Sequence, residues 1–264
     1  MLKNGHKMKN PPINEIASEI FFPRPDMPYG PEADDARDHM FEVEDGVLSR
    51  LRIFPGDKVA PNILFFHGNG ETGRDYDFAA DLFRSLPATF MVAEYRGYGP
   101  ATGTPSANTF LQDAHRTLDE ARTILHREDR NGPIVVMGRS LGSAPAIELA
   151  SSRADHVSAL VLESGFALTV PLLKLIGIPT EQLGITEEQG PCNLKKMGSV
   201  AFPTLIIHAE QDEIIPVGDA QLLHDACTDP QKVLLRVPGA GHNDIQPRAG
   251  RSYFDAIGDL LSRV

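Results

Sequence analysis

Six short apolar runs constrain the fold of this chain more than any other feature. NILFF, TFMVA, PIVVM, VSALVL, PTLII and KVLLRV follow one another from residue 62 to residue 237. None alternates apolar with polar residues, so each suits a strand buried on both faces. Helical stretches lie between them: DFAADLFRSL at 77–86, TFLQDAHRTLDEARTILHRE at 109–128, SAPAIELASS at 143–152 and DAQLLHDAC at 219–227, with RSYFDAIGDLLSRV closing the chain. In the second stretch Leu111, Ala114, Leu118, Ala121 and Leu125 recur at threes and fours, one apolar stripe. Strand and helix in this alternation predict an α/β fold: a mostly parallel central sheet, crossover connections and helices on both faces.

The two ends of the pattern differ from its middle. HMFEVEDGVLSRLRIF alternates and is interrupted by Asp45-Gly46, a hairpin signal, so an antiparallel N-terminal hairpin is expected at the sheet edge. Residues 1–38 are rich in proline and charge and read as an N-terminal arm. Within it INEIASEIF reads as one short helix ended by Pro23. Residues 165–202 exceed a normal crossover. They read either as a small helical cap insertion over the strand ends or as an ordinary connection with a long loop. With 41% hydrophobic residues, 264 residues can bury one large core, and a single domain over 1–264 is expected.

In open α/β sheets the chemistry collects at the carboxyl ends of the strands. Those ends read HGNG, EYRGYG, GRSLGS, ESGF, AEQDE and GAGHND in chain order. Gly138-Arg139-Ser140-Leu141-Gly142 fits G-x-S-x-G, a tight strand-to-helix turn that exposes a serine and needs glycine on either side. A serine hydroxyl needs a base to take its proton. Of nine histidines, only His67, His208 and His242 fall at strand ends. His242 sits in a glycine-rich loop after the last strand and is the candidate base; His67 and His208 read as structural. Asp212, after the penultimate strand, is the candidate partner that fixes the base's tautomer, with Glu210 and Glu213 as rivals. The order serine, acid, histidine is the one this arrangement requires. The amides of Asn69, in HGNG, and Leu141 are candidate donors of an oxyanion hole.

Together HGNG, EYRGYGPATGTPS, GRSLGSAPAIELA, LVLESGF, PTLIIHAEQDEIIP and GAGHND resemble the serine α/β-hydrolases. Within these they are similar to the Bem46-like group, related to the α/β-hydrolase domain-containing proteins of types 13 and 17. The resemblance implies Ser140 as nucleophile, Asp212 as acid and His242 as base, hydrolysing an ester or thioester without metal or organic cofactor. Pro100 after Tyr98-Gly99, and Ala209 after His208, depart from the group's usual residues and leave the triad untouched. Many relatives carry an N-terminal membrane anchor or a palmitoylated cysteine cluster. Neither is read here, so membrane or lipidated-protein substrates are not expected. Two alternatives stand beside the esterase reading: a peptidase of the prolyl oligopeptidase type, and a non-catalytic binding or scaffold protein on the same fold.

Charge and cysteines narrow the partners. A net charge of −11 counts against nucleic acid, which selects basic faces, and weakly against anionic membranes. No apolar run approaches the roughly 20 residues a bilayer needs, and the longest, VPLLKLIGIP, carries Lys174. Cys192 and Cys227 suit free thiols in a reducing compartment, so a cytoplasmic protein acting on a small-molecule ester or thioester is expected. Arg96 and Arg139 read as paired with acidic neighbours, Glu163 as the anchor of a strand-end loop, and Tyr95 and Tyr98 as packing.

Overall fold

A computed structural model describes residues 12–27 and 32–264. Eight strands form one sheet: β1 Arg37–Glu44, β2 Val47–Phe54, β3 Asn62–Phe66, β4 Thr89–Ala93, β5 Ile134–Arg139, β6 Ala159–Glu163, β7 Thr204–Ala209 and β8 Val233–Val237. Their order is β1-β2-β4-β3-β5-β6-β7-β8. The β1–β2 hairpin turns at Asp45-Gly46 with Gly46 at φ 74°, and it joins the sheet antiparallel to β4. From β4 to β8 every pairing is parallel.

The helices are α1 Pro12–Glu15, α2 Ala17–Ile20, α3 Ala80–Phe83, α4 Ala107–Arg127, α5 Ser143–Ser152, α6 Thr169–Leu175, α7 Thr180–Leu183, α8 Asn193–Met197, α9 Val217–Ala226, α10 Ile245–Ala249 and α11 Arg251–Leu261. Period-two geometry explains why the strands read as unbroken apolar runs. Leu64 and Phe66 of β3 face the core built with α4, α5 and α9, while Ile63 and Phe65 face the core built with α3, α10 and α11. Strands β3 to β7 are buried on both faces; β8, at the sheet edge, departs from the expectation for KVLLRV, with Val233 43% exposed, because no further strand covers it. Each such buried Leu, Ile or Phe contributes about 1.5–3 kcal/mol.

The first segments depart from expectation in detail. INEIASEIF is two single turns, α1 and α2, rather than one helix, and the arm ends where β1 begins at Arg37. Residues 77–86 hold only the single turn α3. Most of the flanking amides bond three residues back, in 3₁₀ fashion. Asp77 anchors this stretch to Arg52, with Nε donating at 2.6 Å, so the backbone bends to meet a buried ion pair. Between β6 and β7 the chain is helical, with α6, α7, a 3₁₀ turn at Glu187–Gln189, and α8.

From β3 the chain runs to β4 on one side, then crosses to β5 on the other. Loops leaving β3 and β5 therefore diverge, and a crevice opens between them at their carboxyl ends. HGNG follows β3 and GRSLG spans the end of β5, so these two segments meet there.

Candidate active site

Ser140 follows β5 directly and takes φ 51°, a left-handed conformation rare for a residue with a Cβ. Such strain costs on the order of 1–3 kcal/mol and needs support from its surroundings. The flanking glycines make the turn possible. A Cβ on Gly138 would lie 2.2 Å from the Gly142 carbonyl oxygen, and one on Gly142 would lie 2.0 Å from that of Phe66. The Ser143 hydroxyl donates to the Ser140 carbonyl at 2.7 Å and braces the turn as it enters α5.

His242 lies on the loop after β8, with its Nε2 2.9 Å from Ser140 Oγ. Its Nδ1 lies 2.8 Å from Asp212 Oδ2 and 3.0 Å from Oδ1. A carboxylate only accepts, so Nδ1 carries the proton and Nε2 is left to accept from the serine hydroxyl. Asp212 is held by further donors: Ser164 Oγ at 2.9 Å, Ile214 N–H at 3.0 Å and Ile215 N–H at 2.8 Å. Burial alone would raise its pKa; the bonds from His242 and the two amides outweigh burial and hold it below the ordinary carboxylate range. The Asp212 charge therefore persists at neutral pH.

The rivals serve other ends. Glu213 accepts from the backbone N–H of His242 at 3.0 Å and so fixes the histidine loop, whereas Glu210 is exposed. His208 donates from Nε2 to the Ile215 carbonyl at 2.8 Å, steadying the loop that carries Asp212. Burial lowers its pKa. His67 is fully buried between the Gly68 carbonyl at 2.8 Å and Glu94 at 3.1 Å. Both partners accept, and only an imidazolium satisfies both. Burial opposes that charge, and Glu94 overcomes it, leaving the His67 pKa raised.

The HGNG loop is pinned through the side chain of Asn69. Its Nδ2 donates to the Ile20 carbonyl at 2.6 Å, and its Oδ1 accepts from Phe22 N–H at 2.9 Å and from the Tyr98 hydroxyl at 2.7 Å. Tyr98 is thus more than packing: its hydroxyl joins the N-terminal arm to this loop. Arg139 is the second hub. Its guanidinium donates to Glu163, to Glu71, to Asn243 and to the backbone carbonyl of His242. Glu163 in turn accepts from the buried Tyr253 hydroxyl at 2.5 Å. Arg96 pairs with Asp113 and Glu44, away from the serine. Beyond the polar strand end of ESGF, nothing in the sequence marks Ser164 as a partner of Asp212 or the arm as a partner of Asn69.

Asn69, Ser140, Leu141 and His242 line one cleft of about 490 Å³. A larger groove of about 1030 Å³ runs between Leu82 and Phe254. It meets this region only through Asn243 and contains neither Ser140 nor His242, so the chemistry belongs to the smaller cleft. Cys192 and Cys227 are both free thiols. Among the described residues no helix is long and apolar enough to cross a membrane.

Known proteins share this plan. The family model described as Serine aminopeptidase, S33 matches residues 57–179. Protein bem46 of Schizosaccharomyces pombe is 30% identical over 207 residues, covering 76% of this chain and 67% of that protein. Alpha/beta hydrolase domain-containing protein WAV2 of Arabidopsis thaliana is 30% identical over 220 residues, covering 77% and 70%. Among solved structures, a soluble variant of monoglyceride lipase from Saccharomyces cerevisiae superposes with a TM-score of 0.72 at 14% identity, covering 89% of this chain and 97% of that one. The chain belongs to the α/β-hydrolases of the Bem46 type.

Proposed function

We propose that this protein is a serine hydrolase cleaving carboxylic esters or thioesters through an acyl-enzyme, with Ser140 as nucleophile. The observation that carries the reading is the hydrogen-bonded line from Ser140 Oγ through His242 to the ionised Asp212, opening on a cleft. Ser140 Oγ attacks the acyl carbonyl as His242 Nε2 takes its proton. Asp212 holds the tautomer and stabilises the imidazolium. The tetrahedral oxyanion is held by the backbone amides of Asn69 and Leu141, whose residues share the cleft with Ser140. His242 then protonates the leaving alcohol or thiol. A water, deprotonated by the same nitrogen, releases the acid and restores Ser140. Protein groups and water suffice for each step.

The chain acts as one α/β-hydrolase unit. In this reading residues 165–202 form a small cap, which is supported by Leu172 and Ile176 lining the cleft. The two free thiols fit a cytoplasmic protein. The description of the matching family model raises aminopeptidase activity as a second reading. That activity needs a carboxylate free to hold the substrate's ammonium group. Glu71, the one carboxylate among the described residues that line the cleft, is bonded to Arg139 at 2.5 Å. The cleft therefore suits an ester better than a free amino terminus.

The test is Ser140→Ala against p-nitrophenyl esters, with covalent labelling by a fluorophosphonate and turnover of aminoacyl p-nitroanilides alongside. Labelling of the wild type at Ser140, and ester turnover abolished in the variant, are expected. Unchanged ester turnover in Ser140→Ala would overturn the reading, and p-nitroanilides turned over in preference to esters would favour the peptidase.

A further inference from the structure

Beside the cleft lies a second, almost wholly apolar cavity of about 60 Å³, bounded by Ile13 and Phe21 of the arm, Phe110 and Leu111 of α4, Ala144 of α5 and Phe166. It adjoins the cleft across three shared residues, Ile20, Leu141 and Leu172. Resting on the nucleophile assignment above, we propose that this cavity takes the acyl chain of the substrate and restricts it to short chains, with the N-terminal arm as one wall.

Direction follows from the proton path. The leaving oxygen must come within hydrogen-bond reach of His242 Nε2. The leaving group therefore occupies the side of the cleft walled by Ile214, Ile215 and Asn243. The apolar cavity takes no wall from residues 212–215 or 242–243. It lies on the Leu141 side, away from the histidine, where only the acyl portion can point once the carbonyl oxygen faces the Asn69 and Leu141 amides. The cleft, with Phe22 58% and Ile176 47% exposed at its edge, leaves room for a bulkier apolar alcohol.

Size sets the chain length. At about 60 Å³, against about 490 Å³ for the cleft, the cavity suits a chain of a few carbons. Butyryl and hexanoyl chains match that capacity, and decanoyl exceeds it. The arm that closes the cavity is fixed: Ile20, the last residue of α2, and Phe22 beyond it are tied to Asn69, and the Phe21 ring packs edge-on against Phe110 at 5.3 Å. The wall of the acyl cavity and the oxyanion loop are thus one hydrogen-bonded unit.

The test measures kcat/KM for p-nitrophenyl acetate, butyrate, hexanoate and decanoate, read as ratios to acetate so that losses common to all esters cancel. For the wild type an optimum at butyrate or hexanoate is expected, with decanoate lower by about tenfold or more. Phe21→Ala, or Ile13→Ala should the first not fold, opens the wall and raises the decanoate ratio by about tenfold. Leu111→Phe fills the cavity and moves the optimum to acetate. A chain-length profile identical in wild type, opened and filled variants, in protein that a fluorophosphonate still labels at Ser140, overturns the cavity assignment alone. Failure of the wild type to label overturns the nucleophile reading beneath it.

Discussion

Arg139, the residue before the candidate nucleophile, donates from Nη2 to the backbone carbonyl of His242 at 3.1 Å. The same guanidinium bonds Glu163 at the end of β6 through Nε and Glu71 beside the HGNG loop through Nη1. One side chain thus ties the serine strand to the histidine loop and to the loop of Asn69. Burial opposes its charge, and Glu71 and Glu163 more than restore it, so its pKa is raised. A lysine carries one point of charge on a flexible stem and cannot span three directions. Arg139→Lys is expected to lower kcat by about a hundredfold with KM little changed, because the serine–histidine geometry loosens while the cleft keeps its shape. Steady-state kinetics on a p-nitrophenyl ester, with a thermal melt close to the wild type, checks it. A rise in KM at constant kcat would assign Arg139 to substrate binding instead.

Asp212→Asn tests the tautomer. The amide can donate as well as accept, so His242 Nδ1 no longer has to carry the proton. Nε2 then presents a hydrogen to Ser140 rather than a lone pair. A loss of about 10⁴ in kcat is expected with the fold intact. Fluorophosphonate labelling of Ser140 should slow in parallel, and labelling at the wild-type rate would show that the serine is activated by another group.

Much of this arrangement was legible in the sequence, for identifiable reasons. A strand buried on both faces has no period, so NILFF and IVVM announce β3 and β5 without ambiguity. Ser140 and Asp212 each follow such a strand, and His242 follows the edge strand β8, so all three sit at carboxyl ends of parallel strands and the structure brings them together. Residues 77–86 misled because their apolar spacing suits a helix, while the salt bridge from Asp77 to Arg52, 25 residues away, bends the backbone. Arg139's bond to the His242 carbonyl was invisible, since a main-chain acceptor carries no residue signature. Ser164 was missed for a related reason: its partner Asp212 lies on the next strand's loop, 48 residues on.

Stability at the extremes of pH should turn on Glu94. This buried carboxylate accepts from Arg50 at 2.5 Å, from Gly73 N–H at 2.6 Å and from His67 at 3.1 Å. Burial would raise its pKa, but His67, Arg50 and the Gly73 amide hold it below the ordinary value. Its contribution is present above the unfolded value and is lost as pH falls through the folded one. His67 is raised, so its contribution is complete below the ordinary 6.5 and is lost as pH rises through the elevated value. The pair thus stabilises between the two limits. Glu94→Gln leaves His67 buried without its counter-charge and takes from Arg50 one of three carboxylate partners, Asp26 and Asp38 remaining, and is expected to cost about 3–5 kcal/mol at neutral pH. Urea unfolding measures that cost. Melting temperature against pH should also flatten on both limbs in the variant, and an unaltered curve would assign the pH dependence to other groups.

The glycines around Ser140 offer the sharpest steric test. Gly142→Ala would bring its Cβ to 2.0 Å from the Phe66 carbonyl oxygen, backbone of the central strand β3, while Gly142 itself sits in the turn that enters α5. Neither can retreat without moving β3 against α5, so a loss above about 4 kcal/mol is expected, and with it soluble expression. Gly218→Ala is the matched control. That glycine lies within α9, nothing stands within 4 Å of an added Cβ, and its φ is not in the left-handed region. The substitution should stabilise by about half a kcal/mol, by removing freedom from the unfolded chain. Parallel urea titrations of the two variants decide it. Equal, small effects would mean that the turn carrying Ser140 has room to relax, and that the glycines serve flexibility rather than close approach.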